Sequence, residues 1–171
     1  MQHEIRLTPT SYIVLGLLDQ AGEATPYELK RRVAVGVGNF WSLQHAQLYS
    51  EPERLARAGY LTEERETGGR RRKRYAITRR GRAALHEWLA ASTPGLAELR
   101  DPGLLKLYLG GDPAVLAAAQ LEAHERKLRE YQRIRAADDG AGPRGPWLTL
   151  DAGIGHEREW VRYWRRLRDA R

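Results

Sequence analysis

The chain has no cysteine among its 171 residues, which excludes disulfide bonds, thiolate metal sites and cysteine nucleophiles. It also lacks any apolar run near the roughly 20 residues that a membrane-spanning helix needs. The N-terminal sequence MQHEIRLTPT has no basic leader and no small-residue cleavage site, so it does not resemble a signal peptide. We therefore expect a cytoplasmic protein with no membrane partner.

Catalytic and metal-binding motifs are missing as well. The five histidines are scattered, with no H-E-x-x-H motif and no paired metal spacing. There is also no phosphate-binding P-loop and no G-x-S-x-G motif. We expect no enzymatic activity, no metal site and no cofactor.

Positive charge, in contrast, is abundant and unevenly distributed. The formal net charge is +7 and 42% of the residues are hydrophobic, which indicates a folded, basic protein. Residues 65–82 alone contain nine Lys or Arg and one acid. Such a local basic patch indicates a polyanionic partner, either nucleic acid or an anionic membrane surface.

Threonine–proline pairs predict the starts of two helices. Thr8-Pro9 precedes the apolar run SYIVLGLLDQ, which Gly22 ends, and Thr25-Pro26 opens a second amphipathic stretch. Three residues of the second helix are expected to face inward: Tyr27, Leu29 and Val33.

The third segment, SLQHAQLYSEPERLARAGY from Ser42 to Tyr60, has roughly helical spacing but contains Pro52. Proline lacks an N–H group and crowds the preceding turn of a helix. Ser50 and Glu53 fit a capping box with Pro52 in the first turn. The segment is therefore predicted to be either two short helices or one kinked helix.

After Gly59 the hydrophobic period changes to two. The runs YLTEERE and RKRYAIT both alternate, and Gly68-Gly69 lie between them, which predicts a β-hairpin. Its tip and second strand carry the cation run Arg70–Arg74. Thr78 then caps a fourth helix, and Thr93-Pro94-Gly95 marks a boundary between domains at 1–93 and 94–171.

The C-terminal part is predicted to be helical. Asp112-Pro113 opens a long helix that extends to about Ala137 and carries a coiled-coil-like apolar seam. A polar, glycine-rich break, DDGAGPRGP, leads to a last helix that starts at Trp147. The expected fold class is mainly α with a small β-hairpin.

Three helices, a basic hairpin and a further helix are the element order of a winged helix-turn-helix. A unit that reads duplex DNA needs a rigid, uncharged helix for base edges and flanking cations for phosphates. The candidates for base contact are Ser42, Gln44, His45, Gln47 and Tyr49. The wing could lie along the phosphate backbone or in a minor groove. The candidates for these contacts are Lys30, Arg31, Arg70, Arg71, Arg72, Lys73 and Arg74.

These residues also carry a resemblance to a known family. The segments PYELKRR, FWSLQHAQLYSEPERLARAGYLTEE and GGRRRKRYAITRRGR are similar to the PadR family of bacterial transcriptional regulators. The family has a proline directly after the tyrosine that matches Tyr49 and a leucine two residues later. This chain has Ser50 and Pro52 at those positions. The resemblance covers residues 8–92, and the C-terminal region matches only in length and helical character.

The resemblance implies a homodimer that binds a palindromic operator, as a repressor released by a small molecule or another signal. The expected dimer surface comprises Leu121, His124, Leu128, Tyr131, Trp160, Val161, Trp164 and Leu167. A flat aromatic effector could stack on three tryptophans, Trp88, Trp160 and Trp164, although packing in the core is the more common role of such residues.

Two other functions remain open at this point. The basic hairpin could serve a non-specific nucleic-acid or RNA-binding adaptor that uses its helices for protein partners. The helices could also form a protein interaction module on which the basic charge is incidental.

Overall fold

The computed structural model describes residues 5–65 and 72–170. The chain divides into two compact units, Met1–Gly95 and Leu96–Arg171. In the first unit the elements are α1 (Pro9–Ala21), β1 (Glu23–Ala24), α2 (Pro26–Val35), a 3-10 turn (Val37–Asn39), α3 (Gln47–Arg57), β2 (Leu61–Arg65), β3 (Lys73–Ile77) and α4 (Arg79–Ala90). The predicted mainly α fold with a small hairpin is confirmed.

The sheet contains a strand that the sequence pattern did not reveal. Its strand order is β1-β3-β2, and both pairings are antiparallel. Strand β1 has only two residues, and Glu23 and Ala24 pair with Ala76 and Tyr75. Two residues are too few to show an alternating period, so only the tertiary fold identifies them as a strand.

Side-chain caps begin α1, α2 and α4 where the sequence predicts them. The Thr8 hydroxyl accepts from the Ser11 backbone N–H, and Thr25 and Glu28 form a reciprocal capping box. The hydrogen bond from the Thr25 backbone N–H, followed by that from its hydroxyl, lowers the pKa of Glu28. Gly22 ends α1 with φ of 79°, a conformation that glycine adopts without steric cost.

The core of the first unit is formed by apolar side chains of α1, α2, α3, α4 and the sheet. Leu29 and Val33 of α2 are buried, as predicted, whereas Tyr27 is 62% exposed. The prediction for Tyr27 is wrong because it lies two residues before Leu29. Two residues turn a helix by about 200°, which places Tyr27 on the opposite face.

The third segment forms one helix, α3, which starts at Gln47 and contains Pro52 in its interior. The capping box of Ser50 and Glu53 does not form, because the Ser50 hydroxyl donates to the Ala46 carbonyl at 3.2 Å. Instead, the Gln47 side chain accepts from the Gln44 backbone N–H at 3.3 Å. The expectation that the helix begins at Ser42 is therefore wrong, since residues 42–46 precede it.

The second unit contains α5 (Pro102–Tyr108), α6 (Pro113–Ala136) and α7 (Arg144–Asp169). Asp101 and Asp112 cap α5 and α6 through their carboxylates. Helix α7 begins three residues before the predicted Trp147. Pro146 is compatible with this start, because the first helical residues have no intrahelical acceptor for their N–H groups.

Candidate nucleic-acid interface

The uncharged side chains proposed for base contact lie on the surface. Ser42, Gln44 and His45 precede α3, Gln47 and Tyr49 lie in its first turn, and all five are exposed. The stretch from 33 to 50 contains no Asp, Glu, Lys or Arg. The amides of glutamine side chains can both donate to and accept from base edges, so this surface has the chemistry that direct readout needs.

Helix α3 is held to α1 by a buried polar network. The Ser11 hydroxyl donates to Oε1 of Glu51 at 2.6 Å, and both residues are buried. The Arg54 guanidinium donates to both carboxylate oxygens of Glu51, at 2.6 and 2.9 Å, and to the Ser11 hydroxyl at 3.0 Å. The hydrogen bond with Glu51 raises the pKa of Arg54. Because every member has a partner, the network fixes the position of α3 without leaving a buried charge unpaired.

The cations of the hairpin have different surroundings. Arg72 is exposed, whereas Arg70 and Arg71 lie outside the described residues. The Lys73 ammonium contacts Oε1 of Glu53, and Nη2 of Arg74 lies 2.9 Å from Oε1 of Glu23. Lys73 and Arg74 are thus already paired with carboxylates of the protein, whereas the Arg72 side chain is exposed.

Glu63 of β2 is held by three donors on the same side of the hairpin. The Tyr75 hydroxyl donates to its Oε2 at 3.1 Å, Arg65 donates to its Oε1 at 3.2 Å, and the Lys73 ammonium lies 3.5 Å from Oε1. Partial burial opposes ionisation of Glu63, but these donors together lower its pKa. Burial, and then the hydrogen bond to Glu63, raises the pKa of Tyr75.

Helix α2 contributes the remaining phosphate candidates. Arg31 is exposed and Lys30 is half-buried. Sequence reasoning did not identify Tyr27 and Phe40 as surface residues, yet each is 62% exposed. The four-residue spacing of Leu29 and Val33 is the signal that excludes Tyr27 from the buried face.

The residues expected to form a dimer surface pack within one chain. Leu121, Val161 and Trp164 are buried between α6 and α7, where they form the core of the second unit with Ala117. Tyr131 is buried as well. His124 forms a 2.6 Å hydrogen bond with Glu157, and Leu128, Trp160 and Leu167 pack against this core. Four of the eight expected residues are thus buried within the chain, whereas His124, Leu128, Trp160 and Leu167 are partly exposed.

The three tryptophans proposed for ligand binding do not share one environment. Trp88 belongs to the first unit and stacks on Tyr12 at a centroid distance of 4.5 Å and an interplanar angle of 7°. Trp160 and Trp164 stack on one another in the second unit, at 6.3 Å. Trp164 has no exposed surface, so it cannot stack on an effector in this conformation, whereas Trp88 is 45% exposed.

Other site types find no support in the part of the chain that the structure describes. Within 5–65 and 72–170, no cluster of three or more His, Asp or Glu side chains could hold a metal ion. Among the same residues, no helix combines the length and the apolar character required to cross a membrane.

A helical bundle with an exposed uncharged surface and a basic two-stranded wing is the arrangement of a winged helix-turn-helix protein. Residues 14–87 match the family described as Transcriptional regulator PadR-like family, and residues 99–170 match Virulence activator alpha C-term. Residues 14–87 therefore carry a PadR-like family domain. The proteins that the chain resembles are transcriptional regulators and not enzymes, in agreement with the expectation of no enzymatic activity.

Individual relatives match nearly the whole chain. Over 165 residues it is 27% identical to the Negative transcriptional regulator PadR of Bacillus subtilis, covering 88% of this chain and 90% of that protein. The crystal structure of Bacillus subtilis PadR in complex with operator DNA has a TM-score of 0.83 at 26% identity and covers 97% of this chain and 99% of that chain. A structure of the same regulator with p-coumaric acid has a TM-score of 0.76, also at 26% identity, and covers 95% and 96%.

Proposed function

We propose that this chain is a sequence-specific DNA-binding repressor, with residues 1–93 as its DNA-binding domain and 94–171 as its dimerisation and effector domain. The observation that carries the proposal is the exposed, uncharged surface of Ser42, Gln44, His45, Gln47 and Tyr49 at the start of α3. The likeness to a regulator whose structure was solved with operator DNA supports it.

In this proposal the start of α3 enters the major groove and the wing follows the backbone. Gln47 and Tyr49 lie on the helix itself, while Ser42, Gln44 and His45 approach from the preceding segment. Lys30, Arg31 and Arg70 to Arg72 contact phosphates, which relieves the mutual repulsion of adjacent arginines. Tyr27 and Phe40 are further candidates for contact with DNA because their side chains are exposed.

We also propose that the repressor is a homodimer on a palindromic operator. Because Leu121, Val161 and Trp164 are buried between α6 and α7, we propose that the dimer also uses apolar side chains that the chain leaves exposed. The exposed apolar side chains of the second unit include Leu105, Tyr108, Leu109 and Val115, which support self-association. Leu105, Tyr108 and Leu109 are three and four residues apart at the end of α5, a spacing that places them on one face, and exposed apolar patches commonly mark an interface.

The signal that releases the repressor is proposed to be a small aromatic carboxylic acid. The basis is the structure of the similar Bacillus subtilis regulator with p-coumaric acid. The exposed ring of Trp88 supports stacking with such a compound, in agreement with the expectation of an aromatic effector.

Selection of bound sequences from a random duplex pool at moderate salt tests the proposal. The expected outcome is an enriched inverted repeat, and aromatic acids added as competitors should release it. Gln47→Ala should weaken preference at one base step by about 1–3 kcal/mol, because an amide that reads a base edge is lost. Arg72→Ala is the matched control and should weaken all sequences alike.

Equal affinity for unrelated duplexes would instead favour the non-specific adaptor and contradict the proposal. If the chain bound no nucleic acid at all, the result would favour the protein interaction module.

A further inference from the structure

One cation of the wing is bound between two acids from different elements. The Lys73 ammonium, at the first residue of β3, contacts Oε1 of Glu53 on α3 and lies 3.5 Å from Oε1 of Glu63 on β2. Its side chain is only 30% exposed. The hydrogen bond with Glu53 raises the pKa of Lys73, so the ammonium stays charged.

The other partners of Glu63 connect this contact to the hairpin. Glu63 is the cross-strand partner of Tyr75, and Arg65 is the cross-strand partner of Lys73. Side chains two residues apart on a strand point to the same face, so all four lie on one face of the hairpin. That face reaches α3 through the contact between Lys73 and Glu53.

The point of attachment on α3 lies close to the proposed reading surface. Glu53 follows Tyr49 by four residues, which places both side chains on the same face of the helix. A displacement of the wing against Glu53 would therefore change the distance between the wing arginines and Tyr49.

We infer that Lys73 is a positioning residue that ties the wing to α3 through Glu53 and Glu63, so that wing and helix meet the DNA duplex in one register. This inference rests on the proposed function. A transfer of the ammonium to a phosphate would take this cation away from Glu53 and leave Glu63 with Arg65 alone, so that carboxylate charge would face a polyanion. Lys73 therefore acts inside the protein, whereas Arg72 faces outward.

Lys73 could position the wing or contact a phosphate, and these two roles predict opposite effects of Glu53→Gln on DNA affinity. If Lys73 held a phosphate, Glu53→Gln would free the ammonium and strengthen DNA binding. If Lys73 positions the wing, Glu53→Gln breaks the connection and weakens binding. Glu64→Gln is the matched control, since it removes one exposed acid of the same hairpin with no role in this network.

The experiment measures the affinity of the full chain for its selected duplex over a salt series, for wild type and each variant. Glu53→Gln and Lys73→Gln should each weaken binding by about three- to five-fold, the range of a partly exposed ion pair. The double variant should be no weaker than either single variant. Lys73→Gln should leave the salt slope unchanged, whereas Arg72→Ala should reduce it by about 0.9.

The inference would be overturned if Glu53→Gln bound DNA more tightly than wild type, as Glu64→Gln would. It would also be overturned if Lys73→Gln reduced the salt slope of binding by about 0.9. Amide hydrogen exchange without DNA provides an independent readout. Protection of the β3 amides should fall several-fold in Glu53→Gln and in Lys73→Gln but not in Glu64→Gln. Unchanged protection in the first two variants would overturn the inference. A wild-type chain without sequence preference would refute the proposed function separately.

Discussion

At the scale of single residues, Glu51 is a buried carboxylate that links α3 to α1. It is a carboxylate with 9% exposure, and it accepts hydrogen bonds from Ser11 and Arg54. Glu51→Gln keeps the shape but removes the charge that balances the Arg54 guanidinium. We expect the free energy of unfolding to fall by about 1–2 kcal/mol, the scale of a hydrogen bond to a charged group in a partly exposed pair. Urea denaturation measures this change.

Glu87→Gln is the control for this prediction, because Glu87 is exposed on α4. Its substitution should stay within about 0.5 kcal/mol of wild type. Equal stabilities of the two variants would show that the network does not stabilise α3.

At the scale of elements, the packing of α4 depends on the missing side chain of Gly81. A Cβ at this position would lie 2.3 Å from the backbone oxygen of Tyr60, between α3 and β2. A backbone atom cannot rotate away, so Gly81→Ala should lower the free energy of unfolding by about 2–3 kcal/mol. Thermal unfolding followed by circular dichroism would show this loss.

Gly16→Ala is the matched glycine substitution on the facing helix. Its Cβ would meet only a Leu85 methyl group, at 3.9 Å, which is an ordinary contact. The interior of α1 should gain about 0.5–1 kcal/mol from the better helix propensity of alanine. A destabilisation similar to that of Gly81→Ala would refute the explanation by close approach.

At the scale of the whole molecule, the proposed homodimer must use side chains that the chain leaves exposed. Tyr108 is 88% exposed, so its replacement should not disturb the fold of the monomer. Tyr108→Glu should weaken self-association at least ten-fold, because burying a charge in an apolar interface is costly. Sedimentation equilibrium over a range of concentrations measures the dimer dissociation constant.

Val35→Glu is the control for dimerisation, since Val35 is 77% exposed on α2 in the first unit. It should leave the dimer dissociation constant unchanged. A Tyr108→Glu variant that associates as wild type does would place the interface elsewhere.

Much of the architecture is already determined by local chemistry in the sequence. The helix starts at Thr8, Thr25 and Thr78 follow from hydroxyl caps, and the hairpin follows from alternation around a glycine pair. The five side chains proposed for base contact between 42 and 49 are all exposed. Caps and periods depend on residues a few positions apart, which is why the sequence alone is sufficient for them.

Only the tertiary structure determines which residues distant in the sequence contact one another. The apolar seam of α6 faces α7 of the same chain, although its spacing fits an external partner equally well. Lys73 binds Glu53 from twenty residues away, and Glu51 binds Ser11 from forty. The sequence shows that these side chains need partners, but the choice among them depends on which surfaces the folded chain brings within contact distance.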